Sequence, residues 1–261
     1  MKRYIRIYKA ILAINSAYIM AYRVSFINSI ISSFSWGTFN IIWIVLLTNK
    51  AKTVFGWKSD ELVFITISYV IVTGLYYAFF ARNFDALSRI IDRGELDSVL
   101  LKPLDSQFHV SMMKISFGSL IRVVMGSVLL IWWVQHYNYS IGIFQIISYV
   151  FLQIVGVSLL YSMWSFFTTF LIWYPNLGNL IELLYTFNGF ARYPTELIRK
   201  SGILGLFVFL PISLICATPV KALLQKNSVP DALLMCLLSV LLLSYNRAWW
   251  KYALRHYTSA S

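Results

Sequence analysis

Val123 to Ile181 reads VVMGSVLLIWWVQHYNYSIGIFQIISYVFLQIVGVSLLYSMWSFFTTFLIWYPNLGNLI, and it contains no Asp, Glu, Lys or Arg. An ionised side chain at the centre of a bilayer costs several kcal/mol, so a charge-free run of this length marks membrane crossings. It is too long for a single helix, since about 20 apolar residues suffice to cross a hydrocarbon core of about 30 Å. The polar cluster Gln135, His136, Tyr137, Asn138 and Tyr139 divides it, and Pro175 with Asn176 ends it in a turn.

Working outward on the same criterion gives an all-α integral membrane protein. Crossings are expected at 24–49, 62–81, 114–134, 143–172, 177–191 and 232–246. An amphipathic helix over 1–23 is expected to lie in the interface, where Ile5, Tyr8, Leu12 and Ile19 stand among Arg6, Lys9 and Asn15. The composition agrees: 59% of the 261 residues are hydrophobic, 12% are charged and the mean hydropathy is +0.70. A chain of this length holds roughly five to seven helices with their turns, which leaves no room for a large catalytic domain. The basic start, Lys2, Arg3, Arg6 and Lys9, resembles the leading part of a signal peptide. The apolar run behind it is too long and has no small-residue cleavage site, so retention is expected.

The net charge of +12 suits cytoplasmic flanks that grip anionic lipid headgroups, not a nucleic-acid surface. Cys216 and Cys236 lie in apolar runs with no ligand spacing and read as small buried hydrophobes. The three histidines, His109, His136 and His256, are scattered, and no Cys, Asp or Glu stands beside them at metal-ligand spacing. The chain has neither a phosphate-cradling glycine loop ending in Lys and Ser or Thr nor a GxSxG motif. No active site is expected. Two ionisable groups lie inside or close to apolar runs: Glu182, as a substrate or proton contact or an interface residue, and Arg122, as a cavity lining or a snorkelling cation. Trp132, Trp133, Trp249 and Trp250 fit an aromatic belt at the membrane edges.

After Pro175 two topologies are open. In one, 177–191 is a short fifth crossing, Arg192 onward is external, and 203–222 dips into the outer leaflet and returns. In the other, 177–200 lies along the cytoplasmic face and 203–222 is the fifth crossing. The positive-inside rule favours the second, because it moves Arg192, Arg199 and Lys200 inward. Pro211 and Pro219 favour the first, because two prolines in one apolar run suit a broken, re-entrant hairpin.

The segment from Arg82 to Arg122 is crowded with charge. Within it, Phe84, Leu87, Ile90 and Ile91 recur at helical spacing, with Asp85, Arg89, Asp92 and Arg93 on the other faces. Gly94 can end that helix, and Leu96, Val99, Leu100 and Leu101 form a second apolar patch stopped by Lys102 and Pro103. Such a helix must bury its apolar face on something. Five acids in the segment argue for another protein over the inner leaflet.

The run Arg93, Gly94, Glu95, Leu96, Asp97, then Leu100, Leu101, Lys102, Pro103 and Leu104, resembles the segment after the second crossing of ABC-2 type ABC transporter permeases. In particular it resembles the branch known as uncharacterised ABC transport system permeases. A second likeness is Asn188 to Glu196, with Tyr193, Pro194 and Glu196, followed by Pro211 and Pro219. It is similar to the family's Tyr-Pro segment and the proline-marked hairpin after it. The order of elements agrees over nearly the whole chain, although the basic triplet Arg192, Arg199 and Lys200 departs from the pattern.

The resemblance implies a type V ABC exporter-like fold of six transmembrane helices, with a cytoplasmic coupling helix over 84–104 that receives a separate ABC ATP-binding subunit. It implies an extracellular gate or hairpin carrying Tyr193, Pro194, Glu196, Pro211 and Pro219, which favours the first topology. ATP and Mg would belong to the partner, with no cofactor in this chain. A second permease chain, identical or homologous, would complete the path, in a bacterial inner membrane with both termini cytoplasmic. The rivals are an ion-coupled secondary carrier, an intramembrane enzyme and a non-transporting assembly or sensor protein. The carrier would need more embedded carboxylates than Glu182.

Overall fold

The computed structural model describes residues 2–48, 53, 54, 56–175, 177, 179–199 and 209–257. Five of its helical stretches are long and apolar enough to cross a membrane: Arg23–Thr48, Ser59–Ile91, Phe117–His136, Ile143–Ile172 and Val229–Arg255. The chain is therefore a multi-pass membrane protein.

Helix α1 (Lys2–Ala21) is separated from α2 (Arg23–Thr48) by the single non-helical residue Tyr22. A two-stranded antiparallel hairpin, β1 (Thr53–Val54) and β2 (Trp57–Lys58), turns the chain at Gly56, whose φ of 82° favours glycine. Then follows α3 (Ser59–Tyr76), the centre of the bundle. Over its most apolar stretch 83% of residues are buried, against 17% for α2, because Val63, Phe64, Ile65, Ile67, Val70 and Val72 are apolar on every face. Around it stand α2, α7 (Leu120–His136), α8 (Ile143–Thr169) and α11 (Leu210–Leu223), with α12 (Val229–Arg255) packed on α8 and α11. Gly74 permits the close approach to α7: a Cβ there would lie 2.9 Å from Arg122 Cβ and Val123 Cγ2. Small residues at helix contacts are how membrane helices gain packing without a hydrophobic drive.

The rod does not stop at Arg82. A π-helical turn, Tyr77–Ala81, leads straight into α4 (Arg82–Asp92), so the segment expected as a separate helix over 84–104 begins as the last three turns of the central helix. Charged residues do not break a helix; Gly94 does. Glu95 N–H donates to Ile90 C=O at 2.9 Å and Gly94 N–H to Ile91 C=O at 3.0 Å, with Gly94 at φ 68°. This left-handed cap closes the helix. Short helices α5 (Leu96–Leu100) and α6 (Ser106–Met112) follow, and a non-helical link over 113–116 leads to the third long helix.

Segment 177–191, expected as a fifth crossing, contains only α9 (Leu180–Asn188) and a 3-10 turn, Gly189–Arg192, before α10 (Thr195–Arg199). Nine residues of α-helix reach about 14 Å, under half a hydrocarbon core. Of the expected hairpin over 203–222, residues 203–208 lie outside the described residues. The remainder is α11, which stays helical through Pro219, so this proline does not break the segment. Pro219 deprives the Ile215 carbonyl of its helical donor. That carbonyl faces Gly156 of α8, where a Cβ would come within 3.1 Å. Close packing by a glycine thus covers the defect.

Candidate functional site at the two ends of the bundle

At the Gly94 end, the apolar face of α4 is turned into the chain itself. Phe84, Leu87 and Ile91 are buried, with the Phe84 ring 5.7 Å from that of Tyr161 and 6.5 Å from that of Trp164. After the turn, α5 folds back and buries Leu96 and Val99. What remains outside is an apex of Arg93, Glu95, Leu100, Leu101, Lys102 and Pro103, with Leu101 85% exposed. Arg89 is exposed as well, while Ile90 and Asp97 are half-buried. Of the residues expected to receive another protein, Phe84, Leu87 and Leu96 therefore anchor the segment and the apex residues present it.

The apex is tied down on two sides. Asp105 caps α6 by accepting from Phe108 N–H at 2.9 Å, and Arg247 of α12 donates to both its oxygens, at 2.9 Å for Oδ1. The Arg247 hydrogen bonds hold the Asp105 carboxyl below the usual carboxylate range, against the opposing effect of burial. Trp250 Nε1 donates to Ser106 Oγ at 3.0 Å, and Arg3 of α1 donates to the Pro103 carbonyl. Lys102 Nζ lies 3.0 Å from His109 Nε2. Burial, then the Lys102 charge, lower the His109 pKa, which keeps the imidazole neutral and able to accept.

At the far end the Tyr-Pro segment meets three other loops. Lys221 Nζ, near the end of α11, lies 2.6 Å from Asp231 Oδ2, 2.6 Å from Glu196 Oε1 and 3.0 Å from Thr195 Oγ1. Arg199 adds a second contact to Asp231 at 2.6 Å, and Trp57 Nε1 donates to Glu196 Oε2 at 2.9 Å. Lys226 pairs with Glu61 at 2.7 Å and sits 4.2 Å from the Trp57 ring centre. Burial would raise the Glu196 pKa, but the hydrogen bonds from Lys221 and Trp57 outweigh it and hold the carboxyl below its usual range. Tyr193 and Glu196 are half-buried, Pro194 is buried, Pro211 starts α11 and Pro219 lies inside it. Sequence reasoning missed Lys221 and Asp231. The signal was present: a lone lysine at the edge of an apolar run requires a buried partner.

The basic triplet also finds partners. Arg192 Nη1 donates to Asn40 Oδ1 of α2 at 2.8 Å and its Nε to Gly189 C=O at 3.1 Å, while Arg199 joins Asp231; Lys200 lies outside the described residues. Residues 185–196 thus link α4 to the hairpin that precedes α3. Tyr185 OH donates to Asp85 Oδ1 of α4 at 2.8 Å, and Glu196 reaches the hairpin that precedes α3.

The structure does not bring Arg122 and Glu182 together. Glu182 is exposed on α9. Arg122 is 92% buried, its guanidinium 4.6 Å from the Trp36 ring centre and 4.7 Å from that of Tyr77. Its Nε and Nη1 have no hydrogen-bond partner among the described residues, so two aromatic faces hold the charge. Among the described residues no three His, Cys, Asp or Glu side chains are grouped to hold a metal ion.

Comparison with known proteins gives one positive result. Residues 34–261 match the family model described as "ABC-2 family transporter protein"; no curated protein and no solved structure matches. The match takes in α2 from Phe34 onward, the four long helices after it, the Gly94 apex and the Tyr-Pro network, and on it the chain belongs to the ABC-2 transporter family, as a membrane permease component of an ABC transporter.

Proposed function

We propose that this chain is the permease half of an exporter whose ATP-binding subunit seats on the apex from Arg93 to Pro103. The observation that carries this is Leu101, a large hydrophobe held out at 85% exposure beside the exposed Leu100, while Leu96 and Val99 of the same segment are buried. A membrane permease of this family implies an ABC ATP-binding partner. That partner would hold ATP and Mg, and this chain makes and breaks no covalent bond. The positive-inside rule supports a cytoplasmic apex and cytoplasmic termini in an inner membrane.

The six-span reading draws support from the far end. The broken passage from Tyr185 to Glu196 links α4 to the hairpin before α3 through its side chains, which suits a fifth crossing made of short pieces. The Phe209 ring at the start of α11 lies 5.3 Å from Phe187 and 4.4 Å from Phe190, while the other end of α11 enters the Lys221 network. This suits the returning limb of a re-entrant hairpin that opens outward, with the Tyr-Pro segment as an outer gate. Helix α2 touches the bundle through one stripe, Ser33, Gly37, Asn40, Ile44 and Thr48, and turns Ile31, Phe34, Phe39 and Ile42 outward. A second permease chain, identical or homologous, set against lipid and such faces would enclose a path for a hydrophobic or amphipathic cargo. ATP-driven closure of the motor pair would then rock the two halves between inward and outward access.

Co-purification tests the reading. An endogenous ABC ATPase should remain bound to the wild type through size exclusion and dissociate from Leu100→Asp/Leu101→Asp. Retention by that variant would remove the docking assignment.

A further inference from the structure

Beside the apex, α1 and α4 enclose a site that the docking reading does not use. Residues 113–115 lie between two asparagine side chains. Asn83 of α4 donates Nδ2–H to Lys114 C=O at 2.9 Å and accepts from Lys114 N–H at 2.8 Å. From the other side, Asn15 of α1 donates to Met113 C=O at 3.2 Å and accepts from Ile115 N–H at 3.1 Å. Lys114 is thereby fixed through its backbone at the edge of a cavity of about 560 Å3, which Ile14 and Tyr18 bound on the α1 side and Arg82 and Arg89 on the α4 side.

Three cations face this cavity against one carboxylate, Asp85, which already accepts from Tyr185 OH. No ion pair among the described side chains neutralises Arg82, Arg89 or Lys114. Burial, then repulsion from Arg89 and Arg82, lowers the Lys114 pKa in spite of Asp85, as expected of a site short of an anion. The cavity adjoins a cleft of about 30 Å3 beneath α1, lined by Ser25, Ser29 and Ser116 as well as Ile19, Phe26 and Phe117 and too small for a hydrocarbon chain, while Ile14 and Tyr18 of α1 at its rim are 68% and 55% exposed. A cationic mouth edged by exposed apolar residues of an interfacial helix fits a molecule whose anionic head enters the cavity while its hydrocarbon chains stay in the membrane. Basic pockets at membrane surfaces recognise lipid headgroups in this way.

We propose that this cavity binds the phosphate of an anionic phospholipid, with Lys114, Arg82 and Arg89 around the headgroup and the acyl chains in the bilayer beside Ile14 and Tyr18. The site stands apart from ATPase docking and is testable without the partner. Native mass spectrometry of the delipidated full chain, supplied with phosphatidylglycerol or phosphatidylcholine, reads it directly. Phosphatidylglycerol should be retained in preference to phosphatidylcholine. Arg82→Gln/Arg89→Gln/Lys114→Gln should lower that retention about a hundredfold, from three headgroup charges.

Lys114→Gln alone leaves the asparagine clasps intact and should lower retention about fivefold, with Lys114→Arg restoring it. Arg6→Gln/Lys9→Gln/Arg23→Gln removes the same charge elsewhere and should retain the lipid. Equal retention of the two lipids, or unchanged retention by both glutamine variants at the cavity, would overturn the proposal. Displacement of phosphatidylglycerol by millimolar inorganic phosphate would assign the site to a free anion and overturn the lipid.

Discussion

Truncating Leu101 and Leu96, five residues apart on the same apex, separates a surface for a partner from an anchor of the fold. Leu101 is 85% exposed and contributes almost nothing to the packing of this chain, whereas Leu96 has no exposed surface. Leu101→Ala should therefore leave thermal unfolding in nanodiscs unchanged. If the ATPase buries Leu101 fully, the lost transfer energy is about 1.5–3 kcal/mol, or roughly ten- to a hundredfold in affinity. Leu96→Ala opens a cavity beneath the apex and should cost about 2–5 kcal/mol of stability. Titrating the purified ATPase onto immobilised nanodiscs, with a melting curve on the same samples, reads both effects. Wild-type affinity in Leu101→Ala, or equal loss of stability in the two variants, would refute the division of the apex into anchor and surface.

The far-end network gives a second expectation. Lys221→Met strands Asp231, whose side chain is 6% exposed, and should cost about 3 kcal/mol, the lower part of the range for a broken buried pair because Arg199 remains. Lys221→Met/Asp231→Asn should be more stable than Lys221→Met alone, as urea or thermal melts would reveal. Gly94→Ala forces a Cβ into φ 68° and should cost roughly 1 kcal/mol, seen as faster proteolysis at Leu101. The lowered His109 pKa contributes stability that is present above the unfolded value, about 6.5, and is lost as pH falls through it toward the folded one. Melts between pH 7.5 and 5.5 should show that loss, and His109→Gln should flatten it. With Cys216 and Cys236 replaced, Tyr193→Cys in intact cells should react with an impermeant maleimide; reaction only after lysis would put the Tyr-Pro segment on the cytoplasmic side.

The long helices were legible because charge is excluded from hydrocarbon, and that rule holds whatever the neighbours are. The apex was legible in part. The spacing of Phe84, Leu87 and Ile91 says that a face is buried but not by what, and the structure buries it on Tyr161 and Trp164 of the same chain. Arg82 looked like a boundary because its charge ends an apolar run, yet helix continuity is a backbone property, and the first residue able to end it is Gly94. The Lys221 network was invisible to periodicity because its members, Trp57, Glu196, Lys221 and Asp231, are brought together only by tertiary folding. Pro219 misled in the opposite sense, since a proline breaks a helix only where the freed carbonyl has nothing to cover it.

The central rod gives the two ends a mechanical relation. From Ser59 to Ile91 it runs 33 residues without a break, about 50 Å. One end follows directly from the hairpin whose Trp57 holds Glu196, and Glu61 in its first turn holds Lys226; the other end carries the Gly94 turn and the apex. A helix of this length transmits axial and tilting displacement where it is packed on every face, and α3 is so packed. The irregularity along it is the π turn at Tyr77–Ala81, and there the buried Arg122 guanidinium lies over the rings of both Tyr77 and Trp36 of α2. If an ATPase displaces the apex, the strain arrives first at this turn, where the hydrogen-bond register is already altered, and at a charge held by ring faces without fixed hydrogen bonds at Nε and Nη1. A guanidinium held by ring faces is less directed than an ion pair, so under the proposed rocking the π turn would yield before the Lys221 network, whose contacts are directed.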